Sequence, residues 1–422
     1  SVRTTVQDDG ALNVYVGNGQ ALVVGQHAQS LTTAPGTLDA RATSVYYVGN
    51  TGSGALDGAL SGGVLGGLVE FRDQVLTPAR AQLDQLAAAL GGALNDAHRL
   101  GMDLHGQFGQ DLVWNLAGPR PAAPAAGNTG SAALGVTLTD PAALPASDYQ
   151  ARYDAGTWTV TRLSDGQATV FASLPATLDG FTVNSSGVPA DGDRFHIRPA
   201  GDAARDFGRA IGDPTQLAAA LAVRSSADGA NTGSGRIDQP AVTALPVPQA
   251  DLTAPVTVTF TSPTAYTVTG TGAGLPAAGV YDPATGAVLA FNGWQVSLSG
   301  APAPGDVFRI EANTGGVSDG RGALALAAVG TAPLAGGGAD VAGGYAALVT
   351  RVGSATAQAQ GRADTHGALQ ADAQARREGV SGVNLDEEAA RLLELEQVYQ
   401  AATQILATAN RLFDTLLGAL AR

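Results

Sequence analysis

Neither cysteine nor lysine occurs among the 422 residues, and methionine occurs once. Without thiols the chain forms no disulfide, no Cys-ligated zinc centre, no iron–sulfur cluster and no thiolate nucleophile. Without lysine it has neither the phosphate clamp of a Walker loop nor the Schiff-base anchor of a pyridoxal enzyme. All 23 basic residues are arginine, and 37 acidic ones leave a net charge of −14. So acidic a chain has no use for nucleic-acid phosphates or anionic lipid heads, which call for a basic face. No apolar run is long enough to insert across a bilayer. Only 14% of the residues are charged, whereas 57 are glycine and 45% are hydrophobic. That balance supports a real core with much strand, turn and loop, spread over two to four domains at this length.

What is present changes character along the chain. LNVYVGNGQALVV alternates apolar and polar residues around Asn18-Gly19, a hairpin signal because both turn positions favour φ > 0. From about Leu65 the period becomes helical, with Leu83, Leu86, Leu90, Leu94 and Ala97 on one stripe. Thr77-Pro78 reads as a cap with proline at the first helical position, so a kink or a new helix is expected there. The breaker GPRPAAPAAGNTGS (118–131) opens a β-like region, and SSADGANTGSGRIDQPA (225–241) reads as a linker to a second one. The two regions close alike, on PADGDRFHI and PAPGDVFRI, which favours an internal duplication. From about Asp340 the chain is Ala- and Gln-rich and helical, weakened by Gly353, Gly361 and Gly367.

The last segment carries the strongest pattern. Asn384 with Glu387 three residues on makes a capping box, and Asp386, Glu387 and Glu388 put negative charge in the first turn. Counting sevens from Leu385 gives Leu392, Tyr399, Leu406, Phe413 and Leu420. The companion series contains Leu395 and Leu416, with Val398, Ile405 and Leu412 widening one flank. This heptad seam predicts a coiled-coil-like helix of roughly 50 Å. It is expected to be buried against the 346–377 segment and the Leu83–Ala97 helix, with contacts to other chains beyond its partners' ends. The fold expected is multidomain α+β, an elongated helical core formed by segments before and after two inserted antiparallel β domains. The expected boundaries are 1–118 (hairpin plus helical core), 119–240 (first β domain with linker), 241–322 (second) and 323–422 (a C-terminal helical hairpin completing the core).

SGVNLDEEAARLLELEQVYQAATQILATANRLFDTLL closely resembles the C-terminal signature of the hook–filament junction family of flagellar hook-associated proteins. Gly62 to Leu112 and ARREGVSGVNLDEE match that family's pattern too, and the β regions resemble its more variable middle domains. The resemblance spans essentially the whole chain. Family members carry a long helical region ahead of the hairpin that opens this sequence, so such a region is expected to precede Ser1 in the complete protein. The resemblance implies a non-enzymatic structural subunit without cofactors. It implies type III export without a cleaved signal, an extracellular place in the flagellum, and a ring of like subunits between hook and filament. The implied partners are other copies, hook protein, the next hook-associated protein, and a cytoplasmic export chaperone on the C-terminal helix. Nucleic acid and membrane insertion are not implied. A different class, a cell-surface carbohydrate-binding or adhesive protein, would rest on the β regions alone.

Chemistry elsewhere is sparse. His98 and His105 lie seven apart with Asp96 and Asp103 nearby, but Gly101 and Gly106 end the helix between them, so they read as cap and loop residues rather than metal ligands. Asp191, Asp193 and Asp306 read as turn formers, lacking an EF-hand's spacing. GTGAGLPA (270–277) lies between strands, where a dinucleotide loop does not belong. GVSDG places Ser318 in a nucleophile-elbow pattern, but Asn313, Thr314 and Gly315 separate it from the preceding strand, and the one downstream histidine, His366, falls in the Ala-rich helix. Carboxylates are plentiful, though no pair is singled out for glycosidase chemistry. Trp114, Trp158 and Trp294 are scattered and read as core or turn-packing aromatics.

Overall fold

The computed structural model describes residues 2–8, 10–17, 19–49, 52–60, 62–114, 118–243, 251–272, 274–381 and 385–420. They fall into two compact units, Ser1–Val352 and Gly353–Arg422. The first unit opens with a four-stranded antiparallel sheet (Val2–Val6, Leu12–Val16, Gln20–Val24, His27–Ala28) and a three-stranded one (Ser30–Pro35, Thr43–Gly49, Gly52–Ala55). The expected hairpin is there: Leu12–Val16 pairs with Gln20–Val24 and Gly19 has φ +102°. Asn18 lies outside the described residues.

Helix α1 (Gly63–Phe71) runs through a π-helical stretch, Arg72–Leu76, into α2 (Thr77–Arg99). Proline sits at the start of α2, where its missing N–H costs little, but Thr77 makes no side-chain cap. The wider π turn takes the place of the expected cap and break.

Two β-lobes follow, each a pair of antiparallel sheets. In the first, a five-stranded sheet is ordered Ala123–Pro124, Arg194–Ile197, Tyr149–Asp154, Thr157–Arg162, Ala168–Phe171. It faces a four-stranded one ordered Ala176–Leu178, Phe181–Ser186, Ala133–Leu138, Arg120–Pro121. Alternate residues point inward, so Leu134, Val136, Tyr149, Trp158, Val160, Phe181 and Phe195 form one core. A short helix, α3 (Ala203–Asp206), closes the lobe. In the second lobe the five-stranded sheet runs Val223–Ala227, Val307–Ala312, Val256–Ser262, Ala265–Gly270, Ala278–Val280, over a core of Phe260, Tyr281, Trp294 and Phe308. The stretch 225–241 is therefore not a linker. It starts in a strand paired to Val307–Ala312, and Arg236–Ile237 pairs with Trp294–Ser299.

That correction exposes a repeat more telling than the closing turns. Asn-Thr-Gly-Ser occurs at 128–131 and again at 231–234. In the first lobe the buried Asp193 accepts from Thr129 N (2.9 Å), Gly130 N (3.3 Å) and Ala190 N (2.9 Å). In the second, Asp306 accepts from Thr232 N (2.8 Å), Gly233 N (3.1 Å) and Ala303 N (2.8 Å). Asn128 exchanges two hydrogen bonds with the backbone of Arg194, and Asn231 does the same with Val307. A Cβ on Gly130 or Gly233 would collide with the carboxylate, so only glycine admits the knot. Two lobes sharing a knot, a strand order and inward-facing aromatics are duplicates in structure.

After the lobes, α4 (Arg321–Val329) and the start of α5 (Val341–Ser381) return to α2. Val329, Leu334 and Val341 pack on Ala89, Leu90, Ala93 and Leu94, while Gln82 and Gln85 donate to Gly344 O (3.2 Å) and Leu334 O (3.3 Å). Segments before and after the lobes thus form one helical core, in an α+β chain. Leu83, expected on the buried stripe, is instead open to solvent. In the second unit α5 continues unbroken through Gly353, Gly361 and Gly367, and α6 spans Leu385–Leu420. The intervening alanines carry α5 past glycines that each cost about 1 kcal/mol.

His98 is fully buried at the end of α2. Its Nε2 accepts from Ala218 N at 2.8 Å, which leaves Nδ1 to donate to Gln110 O at 2.6 Å. It is a core residue in a neutral tautomer, not a cap, while His105 sits exposed in the next loop beside Thr215. His98→Ala is expected to orphan two buried backbone groups and to cost roughly 2–5 kcal/mol in a denaturant melt.

The knots give a second expectation. Hydrogen bonds led by Ala190 N hold the Asp193 carboxyl below the ordinary range. For Asp306, burial pushes upward, and the N–H groups of Ala303, Thr232 and Gly233 together outweigh it. A carboxyl depressed by folding adds stability above its unfolded pKa and loses it as pH falls through the folded value. The melting temperature should therefore drop below about pH 4. Asp193→Asn with Asp306→Asn should lower it at pH 7 and make the acid limb shallower, as read by tryptophan fluorescence; an unchanged acid limb would count against the knots.

Candidate assembly surface

The candidate surface lies on α6. Leu392, Leu395, Tyr399, Leu406, Phe413 and Leu416 stand at heptad spacing on one face, with Val398, Ile405 and Leu412 on its flank. Thr408 and Thr415 turn their hydroxyls back onto the carbonyls of Gln404 and Arg411, so these polar side chains are satisfied within the helix. Asp386, Glu387 and Glu388 occupy the first turn, where the helix dipole favours them. Asn384, the other half of the expected capping box, lies outside the described residues, as do the side chains of Leu385 and Leu420.

The seam is not covered. Leu392 is 63% exposed, Tyr399 71% and Phe413 65%, and eleven large apolar side chains of α6 are exposed among the described residues. Within their own unit the expected cover of this stripe by the 346–377 segment is not found, since α5 leaves it open. Periodicity chooses the face of a helix that must be covered; it does not say which molecule covers it. Burying each such side chain is worth about 1.5–3 kcal/mol. Eleven of them outweigh the net stability of an ordinary domain, about 5–15 kcal/mol.

A second open apolar run was missed from the sequence. Val64, Leu65, Leu68 and Phe71 on α1 are exposed, followed by Leu76 and Leu83. The available signal was a nine-residue helix whose one charged residue is Glu70, too apolar on all sides for a solvated one.

The other candidates fall into place as structure. Trp158 and Trp294 are buried in the lobe cores, unavailable to stack on a sugar, while Trp114 is exposed beside Gly208. Asp191 lies in the turn ahead of Asp193, and Ser318 in the loop between the second lobe and α4. Among the described residues no group of three His, Asp or Glu side chains is placed to hold a metal, and no helix is long and apolar enough to cross a membrane.

Known proteins share this arrangement. The description "Flagellar hook-associated protein FlgK helical domain" matches residues 1–113, "Flagellar hook-associated protein 1, D2-like domain" matches 124–199, and "Flagellar basal body rod FlgEFG protein C-terminal" matches 379–419. Flagellar hook-associated protein 1 of Escherichia coli (strain K12) is 28% identical over 99% of this chain and 60% of its own length. The Salmonella typhimurium protein of the same name is 26% identical over 99% and 61%. The chain thus spans about 60% of the length of these relatives. The solved structure of the flagellar hook junction protein FlgK from Burkholderia pseudomallei superposes with a TM-score of 0.78 at 30% identity, over 90% of this chain and 75% of that one. With helical core, first lobe and terminal helix all matched in order, the chain belongs to the flagellar hook-associated protein 1 (FlgK) family.

Proposed function

We propose that this chain is a structural, non-enzymatic subunit of the bacterial flagellum at the hook–filament junction, assembling through α6. The observation that carries the reading is the uncovered heptad stripe from Leu392 to Leu417 in a member of this family. A helix that offers so much apolar surface is stable when neighbouring helices cover it. Leu392, Leu395, Tyr399, Leu406, Phe413 and Leu416 form the working seam; in the sequence its heptad spacing continues to Leu385 and Leu420, and Asn384 with Glu387 has the capping-box spacing. Other copies in a ring, hook protein and the next hook-associated protein supply the partners. An export chaperone covers the same stripe in the cytoplasm before the chain leaves the cell. The domain limits that go with this reading are a hairpin and helical segment to 118, the two lobes to 322, and the helical end from 323.

Leu392→Asp with Leu406→Asp puts two carboxylates into the seam. Each uncompensated burial costs several kcal/mol, so association should weaken by at least about a hundredfold in sedimentation and filament assembly should fail. Gln397→Asp, on the opposite face, should leave both intact. Assembly that survives the double substitution would remove the basis of the reading. In dilute solution the amides of 406–416 should exchange quickly and become protected on assembly, because a helix without tertiary packing is marginal; strong protection in the dilute chain would contradict the proposal.

A further inference from the structure

Two groups of polar contacts tie the first lobe to α2. One is a stem, where the outgoing and returning chain lie antiparallel. Val113 is bridged to Arg209, Trp114 N donates to Gly208 O at 2.9 Å and Ala210 N to Leu112 O at 3.0 Å. Asn95 of α2 grips this stem, Nδ2 donating to Val113 O at 3.2 Å and Oδ1 accepting from Val113 N at 3.0 Å. The other point is Asp84, eleven residues earlier (95 − 84), or roughly 16 Å along the helix at about 1.5 Å per residue.

Asp84 is 7% exposed. Its Oδ1 accepts from Ala204 N at 3.0 Å and its Oδ2 from Asp202 N at 3.1 Å, so an α2 side chain holds the backbone at the lobe's end. Arg198 lies 3.7 Å from Asp84 Oδ2 and 3.2 Å from Asp202 Oδ1, and Arg41, from the chain ahead of α1, reaches Asp202 Oδ2 at 3.2 Å. Apolar contact between the two points is thin: Ala87 and Ala88 join the lobe core, and Gly92 faces Pro141. Side chains so small bury little area and leave the lobe's direction weakly specified. A cleft of about 440 Å³ opens beside the ionic group, bordered by Thr77, Arg80, Pro145 and Arg198.

The second lobe is attached differently. Its entering chain pairs by backbone directly behind α2, Ala220 with Met102 and Leu221 with Gly101. His98 holds Ala218, and Arg321 donates to Val223 O (2.8 Å) and Pro240 O (3.1 Å).

We infer that Asp84 is a positioning residue: with the stem at Asn95 as pivot, its grip on Asp202 and Ala204 sets the angle at which the first lobe stands on α2. The grip joins a carboxylate to two backbone N–H groups beside an ionic cluster that borders solvent, and salt loosens it through that cluster, whereas the second lobe is held by backbone pairing. The inference stands apart from the assembly reading, since it concerns one copy of the chain.

The cysteine-free chain allows a clean test. Gln74→Cys and Ser185→Cys, both at exposed positions, place one spin label on the helical side and one on the lobe. Burial, as the largest influence, pushes the Asp84 carboxyl above its ordinary range, so distances are measured at about pH 8 to favour its charged form. The labelled parent should give one narrow distribution. Asp84→Ala should roughly double its width, with the near-ultraviolet circular dichroism of the lobe's tryptophan unchanged. Asp84→Asn, which keeps one acceptor, should fall between, and about 1 M salt should broaden the parent. A width unchanged in Asp84→Ala, or broadening that comes only with loss of the tryptophan signal, overturns the proposal. If Asp84→Ala does not fold, the Asn variant and the salt series decide, and no broadening in either overturns it.

Discussion

An apolar face that its own chain leaves bare is the constraint on which the rest of this structure depends. Most of unit Ser1–Val352 satisfies itself: each lobe has a closed aromatic core, and residues returning after the lobes cover α2 from Ala89 to Ala97, while α1 leaves Val64, Leu65, Leu68 and Phe71 open. Helix α6 does not, because its leucines lie open along the described length. Hydrophobic burial is non-directional and proportional to area, so such a surface fixes how much must be covered and leaves the partner's identity to shape and family context. The chain therefore joins two kinds of segment, one with closed apolar cores and one whose apolar face lies open.

The lobes show how a disulfide-free β-structure keeps its ends closed. A carboxylate removed from water is costly unless it is hydrogen-bonded, and Asp193 and Asp306 each collect three or more backbone N–H bonds. Those donors come from the lobe's first loop and its last turn. One side chain thus ties the chain's entry to its closing strand, across 64 residues in the first lobe and 74 in the second. The duplication preserves this tie, although the strands it closes have diverged.

Much of this was legible in the amino-acid order. Heptads from Leu392 onward announced α6, alternation announced the sheets, and the paired Gly-Asp turns announced two related lobes. What stayed hidden depended on distant partners. Residues 225–241 looked like a linker because they are polar and glycine-rich, yet those properties serve a loop that wraps a carboxylate more than sixty residues away. His98 looked like a cap because helix-ending glycines follow it, while its two hydrogen bonds go to loops that sequence spacing does not bring near. Leu83 fitted the α2 stripe by period but lies where nothing covers it. Asp84 gave no local sign of its role, since both of its N–H donors belong to the lobe.

The stem at 112–114 and 208–210 has a consequence for how such chains change over evolutionary time. Where a polypeptide leaves and re-enters a scaffold side by side, whatever lies between is a cassette. A shorter, longer or unrelated module can be spliced into the same two breakpoints without moving α2, so the outer surface can diversify while the inner helices keep their fit.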